Sequence, residues 1–200
     1  MKPLLILAAL LVAGCACKYH QGGGHHMMKE RTGLVTMKGT PLTLLGSAAE
    51  VGKRAPDFRV VDAGFKPVRL SDFKGKVVLI SAVPSLDTGV CSLQTKRFNE
   101  EAAKLPKDVQ VITISMDLPF AQKRFCEAEK VKNIPVLSDT VWRELGQNYG
   151  VVIKDMGLLA RSIFVVGKDG RITYAQVVPE LTNHPDYDAA LAAARAASKK

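Results

Sequence analysis

The chain has 200 residues, 47% of them hydrophobic and 24% charged, which is enough for one well-packed domain with extra segments. Its formal net charge is +9, but the basic residues are scattered among acidic ones, and only Lys199-Lys200 forms a basic run. No zinc-finger, helix-turn-helix or RNA-binding pattern occurs, so nucleic acid is not an expected partner. The charge is typical of a solvated surface.

The first residues have the pattern of an export signal. Lys2 precedes the apolar run Leu4–Ala13, which is shorter than the ~20 residues that a membrane-spanning helix needs. The run continues into Gly14-Cys15 and resembles the bacterial lipobox, whose cysteine is acylated after cleavage. We therefore expect a signal peptide over residues 1–14 and a lipid anchor at Cys15, with the protein exported and facing the periplasm. Ala16 leaves outer-membrane sorting open, and an ordinary cleaved secretory peptide is the alternative.

Residues 15–31 contain three consecutive glycines and no hydrophobic periodicity, which predicts a flexible tether ahead of a domain over residues 32–200. Histidine and methionine cluster in the tether, and both side chains suit copper. The members of this cluster are His20, His25, His26, Met27 and Met28. Because a segment loosened by glycine cannot fix the geometry of its ligands, no metal site is expected there.

The rest of the chain alternates between strand and helix patterns. After a hairpin that turns at Lys38-Gly39, apolar runs predict strands and amphipathic runs predict helices. The predicted strands are 33–45 (the hairpin), 58–61, 68–70, 76–83, 109–115, 134–137, 162–166 and 171–177, and the predicted helices start at about Cys91 and span 119–130, 141–149 and 185–197. This order predicts an α/β protein with a thioredoxin-like fold, in which helices flank a central mixed sheet.

Cys91 is the most informative residue for function. It lies at the predicted start of a helix, after a turn that contains Pro84 and Gly89. A thiol in the first turn of a helix faces unpaired N–H groups and the positive end of the helix dipole, which favour the nucleophilic thiolate. Thr88 can turn its hydroxyl towards the sulfur. The frame Pro84-x-x-x-Thr88-x-x-Cys91 therefore favours a reactive thiol over a small buried hydrophobic residue.

This frame resembles the active-site loop of the peroxiredoxins. The stretches PSLDTGVCSLQTKRFN, SMDLPFAQKRFC, GLLARSIFVV and PDYDAAL are similar to the thiol peroxidase subfamily, the atypical two-cysteine peroxiredoxins. The similarity runs from about Thr36 to Ala194. It implies the peroxiredoxin form of the thioredoxin fold, a homodimer, a thioredoxin-type reductant, and catalysis without a metal or flavin cofactor.

The resemblance also implies roles for individual residues. Cys91 is the expected peroxidatic cysteine, which attacks one oxygen of a peroxide while charge builds on the other. Pro84 would restrict the loop and shield the oxidised sulfur, and Thr88 would orient the peroxide. Arg161, at the start of an apolar strand, would supply the cation. The alternative to this catalytic role is that Arg161 is an arginine at a strand end whose side chain reaches solvent.

Cys126 is the only other cysteine of the expected domain. The residues alone leave open a structural Cys91–Cys126 disulfide or a buried structural cysteine. The subfamily places its resolving cysteine in the DLPFAQKRFC helix, which implies that Cys126 forms an intramolecular disulfide with oxidised Cys91. Because a disulfide needs Cα atoms within about 7 Å, we expect local unwinding during turnover.

The expected function is reduction of hydrogen peroxide and organic hydroperoxides to water and alcohols. The alternatives are a disulfide oxidoreductase, a membrane-tethered copper chaperone and a non-catalytic binding module. A disulfide oxidoreductase would carry a second cysteine where Gln94 stands, and a copper chaperone would carry it where Thr95 stands. Apolar residues in the loop (Val83, Leu86, Val90) favour alkyl or lipid hydroperoxides. Export would require an exported thioredoxin-like donor.

Overall fold

The computed structural model describes residues 28–200. The predicted signal peptide, the lipidation site Cys15 and most of the predicted tether, including its histidines, lie outside the described residues. Within residues 28–200 no helix is both long and apolar enough to cross a bilayer.

Ten strands and four α-helices make up the described part of the chain. The strands are β1 (Glu30–Met37), β2 (Thr40–Leu45), β3 (Arg59–Val61), β4 (Pro67–Arg69), β5 (Val77–Ala82), β6 (Val109–Ser115), β7 (Val136–Ser138), β8 (Val152–Ile153), β9 (Ser162–Val166) and β10 (Ile172–Val177). The helices are α1 (Gly89–Ala102), α2 (Pro119–Glu129), α3 (Glu144–Asn148) and α4 (Tyr187–Ser198), and a short 3-10 helix spans Leu70–Phe73.

Seven strands form one sheet in the order β10-β9-β5-β6-β7-β3-β4. β5, β6 and β7 run parallel, and β9 pairs with β5 in the antiparallel direction. Every side chain of β5 is buried, as its continuous apolar run predicts for a central strand. Alternate residues of β5 face two apolar clusters, one packed against α1 and α4 and the other against α3. The predicted α/β architecture with a central mixed sheet is confirmed.

The N-terminal hairpin is also confirmed. β1 and β2 pair in the antiparallel direction, and Lys38 and Gly39 have positive φ values of 49° and 80°, as a tight two-residue hairpin turn requires. β8 adds a third strand to this small sheet. The sequence analysis missed β8, because two residues are too few to show a period.

Several boundaries differ from the predictions by one to three residues, and two of the differences have a visible cause. β1 begins at Glu30, inside the predicted tether, because the Arg31 side chain donates to the carbonyls of Gly46 and Gly150 and holds the strand in place. α3 starts at Glu144 rather than at Val141, since Arg143 adopts a left-handed conformation at its N-cap.

Candidate active site

The thiol of Cys91 lies in the first turn of α1, where the chain leaves the central strand β5. Thr88 is the N-cap residue of this helix, with an extended backbone, but its side chain does not cap the helix. The Thr88 hydroxyl lies 2.9 Å from Cys91 Sγ and 2.9 Å from the carbonyl oxygen of Ser85. The structure therefore brings Thr88 and Cys91 together. Cys91 is fully buried and Thr88 is exposed, so solvent lies on the Thr88 side of the sulfur.

The Thr88 hydroxyl has one proton and two neighbours that can accept it. When Cys91 is a thiol, its S–H can donate to Thr88 while the hydroxyl donates to the Ser85 carbonyl. When Cys91 is a thiolate, the hydroxyl can turn its proton to the sulfur. The same side chain can therefore serve both protonation states, and it can donate to or accept from a bound peroxide.

Arg161 lies directly before β9 and is 2% exposed. Its Nη2 is 3.4 Å from Cys91 Sγ, and its Nε and Nη2 donate to the Leu181 carbonyl at 3.0 and 2.9 Å. Among the residues that the structure describes, no carboxylate lies within ion-pair distance of this guanidinium. Buried charges are normally paired. Arg161 therefore presents a positive charge to Cys91 Sγ that no described carboxylate neutralises.

Gln94 completes the polar contacts of Arg161, and the sequence analysis gave it no role. Its Oε1 accepts from Arg161 Nη1 at 2.7 Å, and its Nε2 donates to Ser81 Oγ at 2.8 Å. All three side chains are buried. The spacing offered a signal, because a residue three positions after Cys91 lies on the same helix face. Gln94 fixes the guanidinium without neutralising it.

The N-terminal hairpin helps to place the Leu181 carbonyl. Leu181 N donates to the Thr36 carbonyl at 2.8 Å, and Thr36 N donates to the Pro179 carbonyl at 2.7 Å. The Glu180 carboxylate accepts from the Thr182 hydroxyl, the backbone of the hairpin turn and Thr36, and these hydrogen bonds hold its pKa well below the usual value. Nothing in the sequence pattern connects residue 181 with Arg161.

Cys126 lies in the last turns of α2. Cys91 and Cys126 are both free thiols in this structure. Cys126 is half-buried and packs against the apolar cluster that contains Cys91. Burial, with a smaller effect of Glu127, raises the pKa of the Cys126 thiol. One side faces a cavity of about 350 Å³ between α2, the β3–β4 turn and the residues before β7. The structure thus places Cys126 near the Cys91 cluster without joining the two sulfurs.

Pro84 is buried two residues after the end of β5, at the start of the loop that leads to Cys91. The sequence-based expectation of an apolar approach surface is wrong for two of its three residues. Val83 and Leu86 are 0% and 3% exposed and pack beneath Cys91 in its core cluster. Only Val90 is partly exposed. Val83 and Leu86 therefore pack the base of the loop into the core and do not form an approach surface for a peroxide.

Comparison with known proteins agrees with this geometry. The Redoxin family profile matches residues 50–191. A thiol peroxidase of Oceanobacillus iheyensis is 53% identical over 157 residues, covering 78% of this chain and 95% of that protein. A thiol peroxidase of Bacillus subtilis is 51% identical over 165 residues, covering 82% of this chain and 98% of that protein.

Solved structures are similar over the same region. The crystal structure of a peroxiredoxin-like protein from Aquifex aeolicus has a TM-score of 0.78 and 42% identity, covering 86% of this chain and 99% of that one. A thiol peroxidase from Chromobacterium violaceum, at 23% identity and a TM-score of 0.70, shares the fold. These similarities do not favour a copper chaperone or a disulfide oxidoreductase. The chain belongs to the thiol peroxidases of the Redoxin family, and it is a peroxiredoxin-type oxidoreductase.

Proposed function

We propose that this thiol peroxidase reduces hydrogen peroxide and organic hydroperoxides with Cys91 as the peroxidatic nucleophile. The observation that carries this assignment is the buried guanidinium of Arg161, which donates to Cys91 Sγ and to neutral acceptors. A thiolate is the form that reacts with a peroxide, and this contact stabilises the thiolate.

The first step converts the Cys91 thiolate and a hydroperoxide into a sulfenic acid and an alcohol, or water from hydrogen peroxide. The sulfur attacks one oxygen and the O–O bond breaks, so that its electron pair goes to the leaving oxygen, which takes a proton from solvent. Arg161 and Thr88 lie beside the sulfur, where they can donate to the two peroxide oxygens as charge moves between them. Gln94 and the Leu181 carbonyl keep the guanidinium aimed at that point.

We assign the second step to Cys126. Its thiol condenses with the Cys91 sulfenic acid, which forms the disulfide and releases water. The end of α2 supports the unwinding that this step needs, because Lys130 adopts a left-handed conformation with φ 56°, which is unfavourable for a residue other than glycine. Unwinding also exposes Cys126 to water, which removes the burial that raises its pKa.

A comparison of two variants tests this assignment. With hydrogen peroxide and a dithiol-protein reductant, Cys91→Ser should not consume peroxide, because the nucleophile is gone. Cys126→Ser should complete one turnover and then stop, with Cys91 trapped as a sulfenic acid that dimedone labels. Peroxide consumption is followed over time. Sustained wild-type turnover by Cys126→Ser would remove Cys126 from the cycle.

We also propose that a protein with a thioredoxin-like dithiol reduces the disulfide. The cavity beside Cys126 gives such a dithiol access to the Cys126 sulfur. We further propose that the protein is exported and anchored by acylated Cys15, facing the periplasm, so that the reductant is also exported. Support comes from the lipobox-like residues 11–15.

Labelling with palmitate tests the anchor. Wild-type cells should incorporate label into this protein, and Cys15→Ser should not, because the acylated thiol is missing. Cys17→Ser is the matched control, since Gly14 stands where a lipobox needs Leu or Val, and it should label like the wild type. Label retained in Cys15→Ser would contradict the anchor.

We also propose a homodimer. An apolar surface at the start of α2 supports it: Leu118 and Phe120 are 56% and 60% exposed, and the Phe120 ring contacts the exposed Phe65 at a centroid distance of 5.3 Å. Exposed apolar patches of this kind mark protein contacts. A monomer by sedimentation velocity at micromolar concentration would contradict the dimer.

A further inference from the structure

Asp117 connects the two segments that carry the cysteines. It lies between β6 and α2, and its carboxylate accepts three hydrogen bonds. Oδ1 accepts from Ser85 Oγ at 2.7 Å, and Oδ2 accepts from Leu86 N and Ser115 Oγ, both at 2.8 Å. Ser85 and Leu86 belong to the loop that leads to Cys91. Hydrogen bonds to a carboxylate are among the stronger ones in proteins, so this loop is held firmly.

The backbone of Asp117 is fixed as well. Its carbonyl accepts from Ser138 Oγ at 2.6 Å, and its N–H donates to Ser115 Oγ at 3.3 Å. Both serines are buried at the ends of their strands, β6 and β7. The backbone of Asp117 is therefore fixed to the sheet, and its carboxylate holds the loop.

The same network reaches α2. Ser115 Oγ also accepts from Gln122 Nε2 at 3.0 Å, and Gln122 Nε2 donates to the Leu137 carbonyl at 2.8 Å. Gln122 stands one helical turn before Cys126 and on the same face. Its buried Oε1 has no hydrogen-bond partner among the described residues, which weakens this anchor. The Cys91 loop and the Cys126 helix thus share one polar network.

We propose that Asp117 is a positioning residue that couples opening of the Cys91 loop to unwinding of α2, and so sets how fast the sulfenic acid is resolved. This inference rests on the proposed Cys91–Cys126 cycle. While the carboxylate holds Ser85 and Leu86, the oxidised sulfur stays in its buried site and cannot reach Cys126. Leu86 N and Ser115 Oγ share the acceptor Oδ2, so a rotation of the carboxylate that releases the loop also shifts Ser115 Oγ and its contact with Gln122.

Two reactions compete for the Cys91 sulfenic acid. Condensation with the Cys126 thiol forms the disulfide and water. A second hydroperoxide instead oxidises the sulfenic acid to a sulfinic acid and is itself reduced to an alcohol or water. Slow opening favours the second reaction, because the sulfenic acid waits longer. The ratio of disulfide to sulfinic acid at a fixed peroxide concentration therefore reports the opening rate, independently of the first oxidation.

Asp117→Asn tests the proposal. Asparagine keeps one acceptor oxygen, but its amide group cannot accept from Ser85 or Leu86. The ratio of disulfide to sulfinic acid, measured by mass spectrometry of peroxide-treated full-length protein, should rise about tenfold, as expected for the loss of one hydrogen bond to a charged group. Asp87→Asn is the matched control, since Asp87 is exposed in the same loop, and its ratio should stay at the wild-type value.

A second variant and a second readout separate coupling from general damage. Ser85→Ala removes one of the three hydrogen bonds and should raise the ratio less than Asp117→Asn. Hydrogen exchange should accelerate in Asp117→Asn in peptides spanning residues 83–90 and 119–130 together, with the β5–β6 core unchanged. An unchanged ratio, or faster exchange in only one of the two segments, would overturn the proposal. Wild-type protein that forms neither product would instead refute the proposed cycle.

Discussion

The side chain that most constrains the chemistry is Arg161. A guanidinium that is 2% exposed pays a large desolvation cost, and its described partners are a carbonyl, an amide oxygen and a thiol sulfur. A carboxylate at any of these positions would neutralise the charge and remove the reason for the thiolate to form. The neutral amide of Gln94 therefore has a functional consequence, because it orients the cation and leaves its charge available to Cys91.

Gln94→Glu tests this consequence. The new carboxylate should pair with Arg161 and compete with the Cys91 thiolate, so the second-order rate constant for peroxide should fall by about tenfold, or roughly 1.4 kcal/mol. Alkylation of Cys91 by iodoacetamide at pH 7 should slow in parallel. Gln147→Glu, on the partly exposed face of α3, is the control for added charge. Unchanged rates in Gln94→Glu would show that Arg161 does not act through its charge.

Among the site residues, the sequence predicted those that belong to a local motif. Thr88 and Cys91 are three positions apart, so helix geometry alone brings them together. Arg161 came from family resemblance, and its contact with the sulfur depends on β9 lying beside β5. The Leu181 carbonyl could not have been predicted, because a backbone acceptor has no residue signature and its position depends on the hairpin contacts.

At the scale of elements, apolar runs and turn residues predicted most strands, and the clearest were β5, β6 and β9, whose five or six consecutive buried residues are mostly apolar. The two-residue β8 was missed, and the start of the short α3 was misplaced, because tertiary contacts determine where both elements lie. In α3, Asp139 accepts from the backbone N–H groups of Leu145 and Gly146 at 3.3 and 2.8 Å and so holds the helix start. Asp139 is fully buried, and burial raises its pKa to about 7.

This raised pKa makes stability depend on pH. The unfolded chain loses the Asp139 proton near pH 4, whereas the folded protein keeps it up to about pH 7, so the Asp139 contribution to stability falls as pH rises between these values. Asp139→Asn cannot ionise. Its free energy of unfolding, relative to wild type, should therefore rise by about 3 kcal/mol from pH 4 to pH 7.

Urea unfolding at the two pH values measures this difference. Asp155→Asn, at an exposed turn position, is the control and should show no pH-dependent difference from wild type. A constant difference between Asp139→Asn and wild type across this range would contradict the role of Asp139.

At the scale of the whole molecule, the parts of the site come from distant stretches of the chain. The loop after β5 supplies Thr88 and the first turn of α1 supplies Cys91. Arg161 lies directly before β9, and the N-terminal hairpin fixes the Leu181 carbonyl through Glu180. α2 brings Cys126 to the same apolar cluster. The fold thus buries the proposed peroxidatic thiol and places its proposed resolving partner against the same apolar cluster.

The formation of a Cys91–Cys126 disulfide is the direct test of the proposal that Cys91 attacks the peroxide and Cys126 resolves the sulfenic acid. One equivalent of hydrogen peroxide is added to the reduced full-length protein, remaining thiols are alkylated, and non-reduced proteolytic peptides are identified by mass spectrometry. The Cys91 and Cys126 thiols should both be lost, and one cross-linked peptide should join Cys91 to Cys126 within a single chain. Oxidation of Cys91 without this peptide, or a cross-link to a different cysteine, would contradict the proposal.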